Sequence, residues 1–321
     1  MSGRILCAGL GPGSPDLMSV RADRAIRGAR HVAYFRKAGR KGQARRIVDG
    51  MLAPGVTEYP MEYPMTTEHP VESRIYNDAL ARFYDDWADR LAALAQTEEI
   101  VVLCEGDPFF YGSFMHLHVR LQGRAPVEVI PGITGMTGCW NALGQPMTWG
   151  EDVMTVLMGT LPQDELTRHM AGAHALVVMK TGRNLGKVRR ALAASGRLED
   201  AWLVERGTMP GQRIARLADM EDEDCPYFAV VLVHGHGRRP VAPGASQRAP
   251  DHAHGTAALS LPEASPLYSG RQDGAARAQS DQPGGTAPSS GHEREGAPRH
   301  DRADLALTPD DACARPRKAP R

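Results

Sequence analysis

Apolar residues in this chain come in short unbroken runs, and nearly every run ends in a turn rich in glycine and proline. In the first half the runs are Arg4–Leu10, Val32–Phe35, Val56–Tyr59, Ile100–Cys104 and Val127–Ile130. Continuous β-branched and aliphatic runs of this length predict parallel strands buried on both faces. Between them the period lengthens to that of helices. Asp16 to Val20 opens one, with Leu17, Val20 and Ala25 spaced for burial. Arg74–Gln96 forms a second, through Ile75, Leu80, Phe83, Trp87, Leu91 and Leu94. Tyr111–Gln122 forms a third, with Phe114, Leu117 and Leu121 on one stripe, and Met136–Leu143 a fourth. After a linker at Pro146–Gly150 a second α/β segment follows. Its strands are Val153–Met158, Ala175–Lys180, Ala201–Val204 and Tyr227–Val233, and its helices Asp164–Ala171 and Leu185–Ala194, the latter capped by Asn184.

The turns carry the chemistry. Glu105-Gly106-Asp107-Pro108-Phe109-Phe110-Tyr111-Gly112-Ser113 follows the most apolar strand of the first half. Pro108 ends the ladder there, having no N–H to give. Ligands of open α/β sheets bind at such carboxyl ends, so Asp107 is either a cofactor contact or the cap of the next helix. Gly9-Leu10-Gly11-Pro12-Gly13 follows the first strand, Pro131-Gly132-Ile133-Thr134-Gly135 the fifth. Lys180-Thr181-Gly182-Arg183 and Glu205-Arg206-Gly207-Thr208 end strands of the second half. A dinucleotide fingerprint is not met, since Pro12 interrupts it and Ser14 stands where glycine is needed. The second strand does end in Arg36-Lys37, which keeps an NADP-binding oxidoreductase open as an alternative. Arg36, Lys37, Arg40, Lys41, Arg45 and Arg46 form a basic cluster at that crest, either a solvated face or a grip for a polyanion. Pro60, Pro64 and Pro70 punctuate a loop with Tyr63, Met65, Thr66, Thr67 and Glu68; loops of this length are functional or disordered.

Composition narrows the classes. Formal net charge is +0 with 42% hydrophobic residues over 321 positions, so nothing global argues for nucleic acid. Five scattered cysteines, with no C-x-x-C pair, argue against a disulfide framework or a zinc site and suit reduced, cytoplasmic thiols. No run is long enough to span a bilayer, and the N-terminus enters a strand where a signal peptide would be. From about Arg238 the apolar period vanishes. The expected organisation is an N-terminal α/β domain over 1–146, a C-terminal one over 147–239, and a disordered tail over 240–321.

Gly9-Leu10-Gly11-Pro12-Gly13, Gly106-Asp107-Pro108, Pro131-Gly132-Ile133-Thr134 and Glu205-Arg206-Gly207-Thr208, four turns in order, resemble the tetrapyrrole methylase family between Arg4 and about Arg239. Tyr34 to Gly42, Tyr63 to Glu68, Gly112 to Met115 and Met179 to Arg183 narrow the resemblance to the branch acting on precorrin-2 in cobalamin biosynthesis. The resemblance implies a two-domain methylase fold with a mostly parallel N-terminal sheet and a mixed C-terminal sheet. It also implies S-adenosylmethionine in the cleft between them, and a homodimer. Pro12, Gly106, Asp107, Thr134, Thr181 and Gly207 are then the cofactor contacts, with Phe110 and Ser113 added by adjacency. Gly207 stands where other branches carry alanine. The substrate is a small-molecule tetrapyrrole whose acetates and propionates would be received by Arg36, Lys37, Arg40, Arg45 and Arg46. No metal is called for. Glu105, Tyr111, His116 and His118 are nominees for a proton acceptor, none of them preferred. Another methylase of the same fold, including one for the cobalt-containing substrate, and a non-enzymatic anion-binding module remain the competing readings.

Overall fold

The computed structural model describes residues 3–65, 73–221 and 223–240. All of the expected tail beyond Pro240 therefore lies outside the described residues, as do Thr66, Thr67, Glu68 and Pro70 of the proline-punctuated loop.

The apolar runs of the first half pair as one parallel sheet: β1 (Arg4–Gly9), β2 (His31–Lys37), β3 (Thr57–Tyr63), β4 (Glu99–Cys104) and β5 (Val127–Ile130), in the order β3-β2-β4-β1-β5. β4 is central, and Ile100 to Leu103 are wholly buried because both faces are covered. Ile100, Val102 and Cys104 face α3 (Arg74–Leu94) and α4 (Phe114–Leu121). Val101 and Leu103 face α1 (Val20–Arg27) and α2 (Gln43–Ile47). α4 is too short to persist alone. It is held by the complete burial of Phe114, Leu117 and Leu121, each worth about 1.5–3 kcal/mol by transfer.

The second half forms a mixed sheet, as expected: β6 (Met154–Met158), β7 (Ala175–Met179), β8 (Ala201–Glu205), β9 (Arg213–Arg216) and β10 (Ala229–Val233), in the order β6-β7-β10-β8-β9. Only β6 and β7 pair in parallel; the other three neighbouring pairs are antiparallel. α6 (Gln163–Ala171) and α7 (Leu185–Ala194) cover one face. The other face receives α5 (Gly135–Leu143), whose Met136 and Cys139 pack against Val177, Val204, Val230 and Leu232. α5 directly follows the Pro131 to Thr134 turn, so one helix joins the crest of the first sheet to the face of the second. No helix among the described residues is long and apolar enough to cross a membrane.

Several local expectations need correction. Residues 15–17 make only a 3₁₀ turn; α1 starts after Ser19, whose side chain accepts from Ala22 N at 3.2 Å. Its buried residues are Ala22 and Ile26, whereas Val20 is exposed. Ile75, on the expected stripe of α3, is likewise exposed. Pro60 sits inside β3, which an edge strand tolerates. Tyr111 has φ +54° and cannot start a helix, so α4 begins three residues later. Asn184 occupies the cap position of α7 without capping it; its Nδ2 donates backwards to Lys180 O at 3.2 Å. α2 and β9 are too short to leave a periodic signal in the sequence.

Candidate functional site

The glycine turns interlock. Gly106 N donates to Gly11 O at 2.8 Å and Gly11 N to Gly106 O at 3.3 Å, a bridge between the turns that end β4 and β1. Gly132, at the end of β5, lies against both. A Cβ on Gly132 would stand 2.1 Å from Gly106 O, and one on Gly9 would stand 2.6 Å from Gly132 N. Three strand ends thus form a crest of bare backbone where no side chain fits.

Asp107 ties this crest together. Its Oδ1 accepts from Phe109 N at 2.9 Å and its Oδ2 from Gly132 N at 3.0 Å. The first bond is a local turn; the second reaches 25 residues ahead to the end of a different strand. Asp107 is not a cap, because α4 starts seven positions later.

The second half closes against these turns through small contacts. Gly138 of α5 packs on Pro12 so closely that a Cβ there would stand 2.4 Å from Pro12 Cβ and 3.2 Å from Thr208 Cγ2. Gly13 abuts Met209 in the same way. Gly207 packs on Cys139: an alanine Cβ would stand 2.8 Å from its Sγ and 3.1 Å from its Cα. The glycine at 207 is therefore matched to Cys139, whose thiol pKa burial pushes up to about 12 despite the Gly207 N–H that favours the thiolate.

The hydroxyls expected at the cofactor are mostly engaged by the protein. Thr134 caps α5, accepting from Thr137 N at 3.4 Å and pairing with Thr137 Oγ1 at 2.9 Å. Thr181 is wholly buried and donates to Ala229 O at 3.1 Å. Ser113 Oγ is hydrogen-bonded to Tyr63 Oη. Phe110 packs with the cluster under α5 and meets Tyr111 edge-on. Thr208 was not singled out in the sequence, though it sits in a recognised turn. Its N donates to Gln212 Oε1 at 2.8 Å, while its buried Oγ1 has no partner among the described residues. A buried orphan hydroxyl is costly unless a ligand meets it.

Backbone strain gathers at the same turns. Among the described residues four non-glycine positions have positive φ: Tyr111 (54°), Lys180 (54°), Arg206 (49°) and Thr208 (65°). Each lies in one of the turns singled out by sequence, and such conformations persist where surrounding structure enforces them.

The proton-acceptor nominees separate. Glu105 Oε1 accepts from Ala44 N at 2.9 Å. Burial raises its pKa above the ordinary carboxylate value, partly offset by its own and Ala44's backbone N–H. His116 stacks on Tyr84 with centroids 4.7 Å apart, and burial, then Arg120 and Lys180, lower its pKa. His118 is wedged between Phe109 and Phe114, its buried Nδ1 without a partner among the described residues. Tyr111 is half exposed.

The basic cluster divides as well. Arg36 pairs with Glu62 at 2.5 Å, Lys41 with Asp49, and Arg45 grips Glu58 through two bonds of 2.8 and 2.9 Å while also meeting Asp49. Arg40 and Arg46 are exposed and make no ion pair among the described residues; Lys37 is exposed too. A cavity of about 480 Å³ bordered by Asp152, His174, Arg197 and His236 lies at the opposite ends of β6 and β7, away from all of these residues.

A crest of bare backbone, strained turns and a shared helix join two sheets into one α/β fold. The chain belongs to the tetrapyrrole (corrin/porphyrin) methylases, whose family model matches residues 4–220. It is a methyltransferase of that family. The precorrin-2 C(20)-methyltransferase of a Sinorhizobium species is 51% identical over 239 residues, 74% of this chain and 98% of the relative. The cobalt-precorrin-2 C(20)-methyltransferase of Salmonella typhimurium is 26% identical over 73% of this chain and 97% of its own length. In fold, the chain is similar to a uroporphyrin-III C-methyltransferase from Thermus thermophilus solved with S-adenosylhomocysteine, with a TM-score of 0.52, 23% identity, and coverage of 72% of this chain and 92% of that one.

Proposed function

We propose that this chain transfers a methyl group from S-adenosylmethionine to C20 of precorrin-2, giving precorrin-3A in cobalamin biosynthesis. The carrying observation is the 51% identity to the Sinorhizobium precorrin-2 enzyme over nearly that whole protein, against 26% for the cobalt-precorrin-2 enzyme. A homodimer in the cytoplasm accords with this reading, as does division into an N-terminal unit over 1–146 and a C-terminal one over 147–239.

The residues fit the cofactor. Gly9 and Gly132 let the strand ends pack backbone on backbone beneath the turns, and Thr208 Oγ1 offers a buried polar atom in need of a partner. Pro12, Gly106, Asp107, Phe110, Thr134, Thr181 and Gly207 are the residues assigned to the cofactor in this reading. Because the hydroxyls of Ser113, Thr134 and Thr181 already have protein partners, these residues serve chiefly through shape and backbone groups, and Thr208 joins the set. When bound, the cofactor supplies an electrophilic methyl on a sulfonium. The protein's part is then in-line positioning, which can supply much of the acceleration. Arg36, Lys37, Arg40, Arg45 and Arg46 serve the substrate carboxylates, with Arg40 and Arg46 the most available and Arg36 and Arg45 braced by acids of β3. The proton released from the methylated carbon needs an acceptor. Glu105, whose carboxyl accepts from Ala44 N and whose pKa desolvation raises, is the nominee nearest in sequence to the crest.

Methyl-transfer assays on precorrin-2 and its cobalt-containing counterpart, beside calorimetry with S-adenosylhomocysteine and with NADPH, test the reading. Faster methylation of precorrin-2 and binding of S-adenosylhomocysteine alone are expected. Preference for the cobalt form would move the chain to the other branch, and binding of NADPH would overturn the cofactor.

A further inference from the structure

Two of the four strained residues meet. Tyr111 lies between β4 and α4, in the first half; Lys180 follows β7, in the second. Lys180 Nζ stands 6.0 Å from the centroid of the Tyr111 ring, so the halves touch through a cation and an aromatic face, each carried on backbone at φ 54°.

The conformation of Lys180 is imposed from outside. Asn184 gives up capping α7 to donate to Lys180 O at 3.2 Å. Thr181, next in the chain, is wholly buried and anchored to Ala229 O at 3.1 Å. On the other side Gly159 lies so near that a Cβ there would stand 3.0 Å from Lys180 O. Glycine would satisfy this turn with no steric penalty, as it does at position 106. A lysine in a position suited to glycine therefore points to a use for the side chain.

Its charge is available. Lys180 is exposed and makes no ion pair among the described residues, whereas Arg36, Lys41 and Arg45 are all committed to carboxylates. An ammonium aimed by a ring, on fixed backbone, meets an anion with little further loss of freedom. Its charge also reaches His116, whose pKa is lowered by burial first, then by Arg120 and Lys180.

We propose that Lys180, aimed by Tyr111, receives a carboxylate side chain of the tetrapyrrole and so supplies a specificity contact from the half of the molecule opposite the Arg36 to Arg46 segment. This rests on the function proposed above. The cofactor's own carboxylate is the other possible anion, and the experiment separates the two.

The variants are Lys180→Gly, Lys180→Arg and Tyr111→Leu. Each is followed by steady-state kinetics on precorrin-2, calorimetry with S-adenosylhomocysteine, and a thermal melt. Lys180→Gly should melt no lower than wild type, since it removes the strain. Its precorrin-2 KM should rise roughly tenfold, with a shallower dependence on salt and unchanged affinity for S-adenosylhomocysteine. Lys180→Arg should restore most of the KM, and Tyr111→Leu should raise it by a smaller factor. An unchanged KM in Lys180→Gly would make the residue structural and end the proposal. Weakened binding of S-adenosylhomocysteine would assign the ammonium to the cofactor and end it too. A wild-type chain that leaves precorrin-2 unmethylated overturns both readings, whereas active wild type with an indifferent Lys180→Gly overturns this one alone.

Discussion

Asp107 shows how one side chain can serve local geometry and a distant strand at once. Its two oxygens take two backbone N–H groups, so substitution by asparagine leaves one acceptor for two donors. The amide then places a donor against either Phe109 N or Gly132 N. The expected loss is about 1–2 kcal/mol of stability, seen as a lowered melting temperature in Asp107→Asn. Displacement of Gly132 from the crest should also weaken S-adenosylhomocysteine, by roughly ten- to a hundredfold if a charge-assisted bond to the ligand is lost as well. Calorimetry beside the melt decides: a lower melting temperature with unaltered affinity would make Asp107 a structural tie alone. The sequence placed Asp107 at a ligand-binding crest through its strand–Gly–Asp–Pro context. The bond to Gly132 was invisible there, because no local rule connects residues at the ends of β4 and β5. Thr208 was missed as an individual for a related reason. A threonine in a turn is unremarkable until burial leaves its hydroxyl alone.

Among the secondary-structure elements, α5 decides most about how the site holds together. Its glycine at 138 is poorly chosen for a helix, where alanine is better by about 1 kcal/mol. Against that gain, a methyl group at 138 would stand 2.4 Å from Pro12 Cβ. Relief of such a contact needs movement of proline backbone, and overpacking of this kind costs about 1–3 kcal/mol. Gly138→Ala is therefore expected to lower the melting temperature and to weaken S-adenosylhomocysteine by pushing the Pro12 turn away from Thr208. A higher melting temperature would show that helix propensity wins and that the two turns are not packed as described. The helices and strands themselves were largely legible. α3, α7 and all the long apolar strands fall within a few residues of their predicted bounds, because buried periodicity extends over many positions. The ends are less so: local pattern makes Tyr111 a helix start and Lys180 a strand end, and only the backbone shows both at positive φ.

Across the chain, the segment after β10 returns to the linker that precedes β6. His234 Nδ1–H donates to Pro146 O at 3.0 Å and Gly235 N to Met147 O at 3.0 Å, while Asp152 Oδ2 accepts from both Trp149 N and Gly237 N. His234 is buried with its Nε2 lacking a partner among the described residues. Burial lowers its pKa, the Pro146 carbonyl pulls it partly back, and His236 lowers it further. A histidine depressed in the folded state stabilises the fold above its unfolded pKa of about 6.5, and that contribution fades as pH falls through the folded value. Melting temperatures should accordingly decline as pH drops below about 6.5. His234→Asn retains an N–H donor toward Pro146 O but cannot titrate, and should flatten the decline, leaving the part due to His116, whose shift has the same sign. An unaltered slope in His234→Asn would assign the pH sensitivity elsewhere.

The sequence by itself determined the two α/β segments, the family and the turns that carry the chemistry. Apolar period and glycine or proline punctuation are local properties, and four spaced turns identify a lineage without coordinates. Only the tertiary structure decided that Asp107 spans two strand ends, that Gly207 and Gly138 answer Cys139 and Pro12, and that Lys180 stands over Tyr111. It also divided the basic cluster, committing Arg36 and Arg45 to Glu62 and Glu58 on the neighbouring strand. These facts depend on which residues meet across sheet register and helix packing, and pairings between distant positions leave no mark in the local pattern of a single chain.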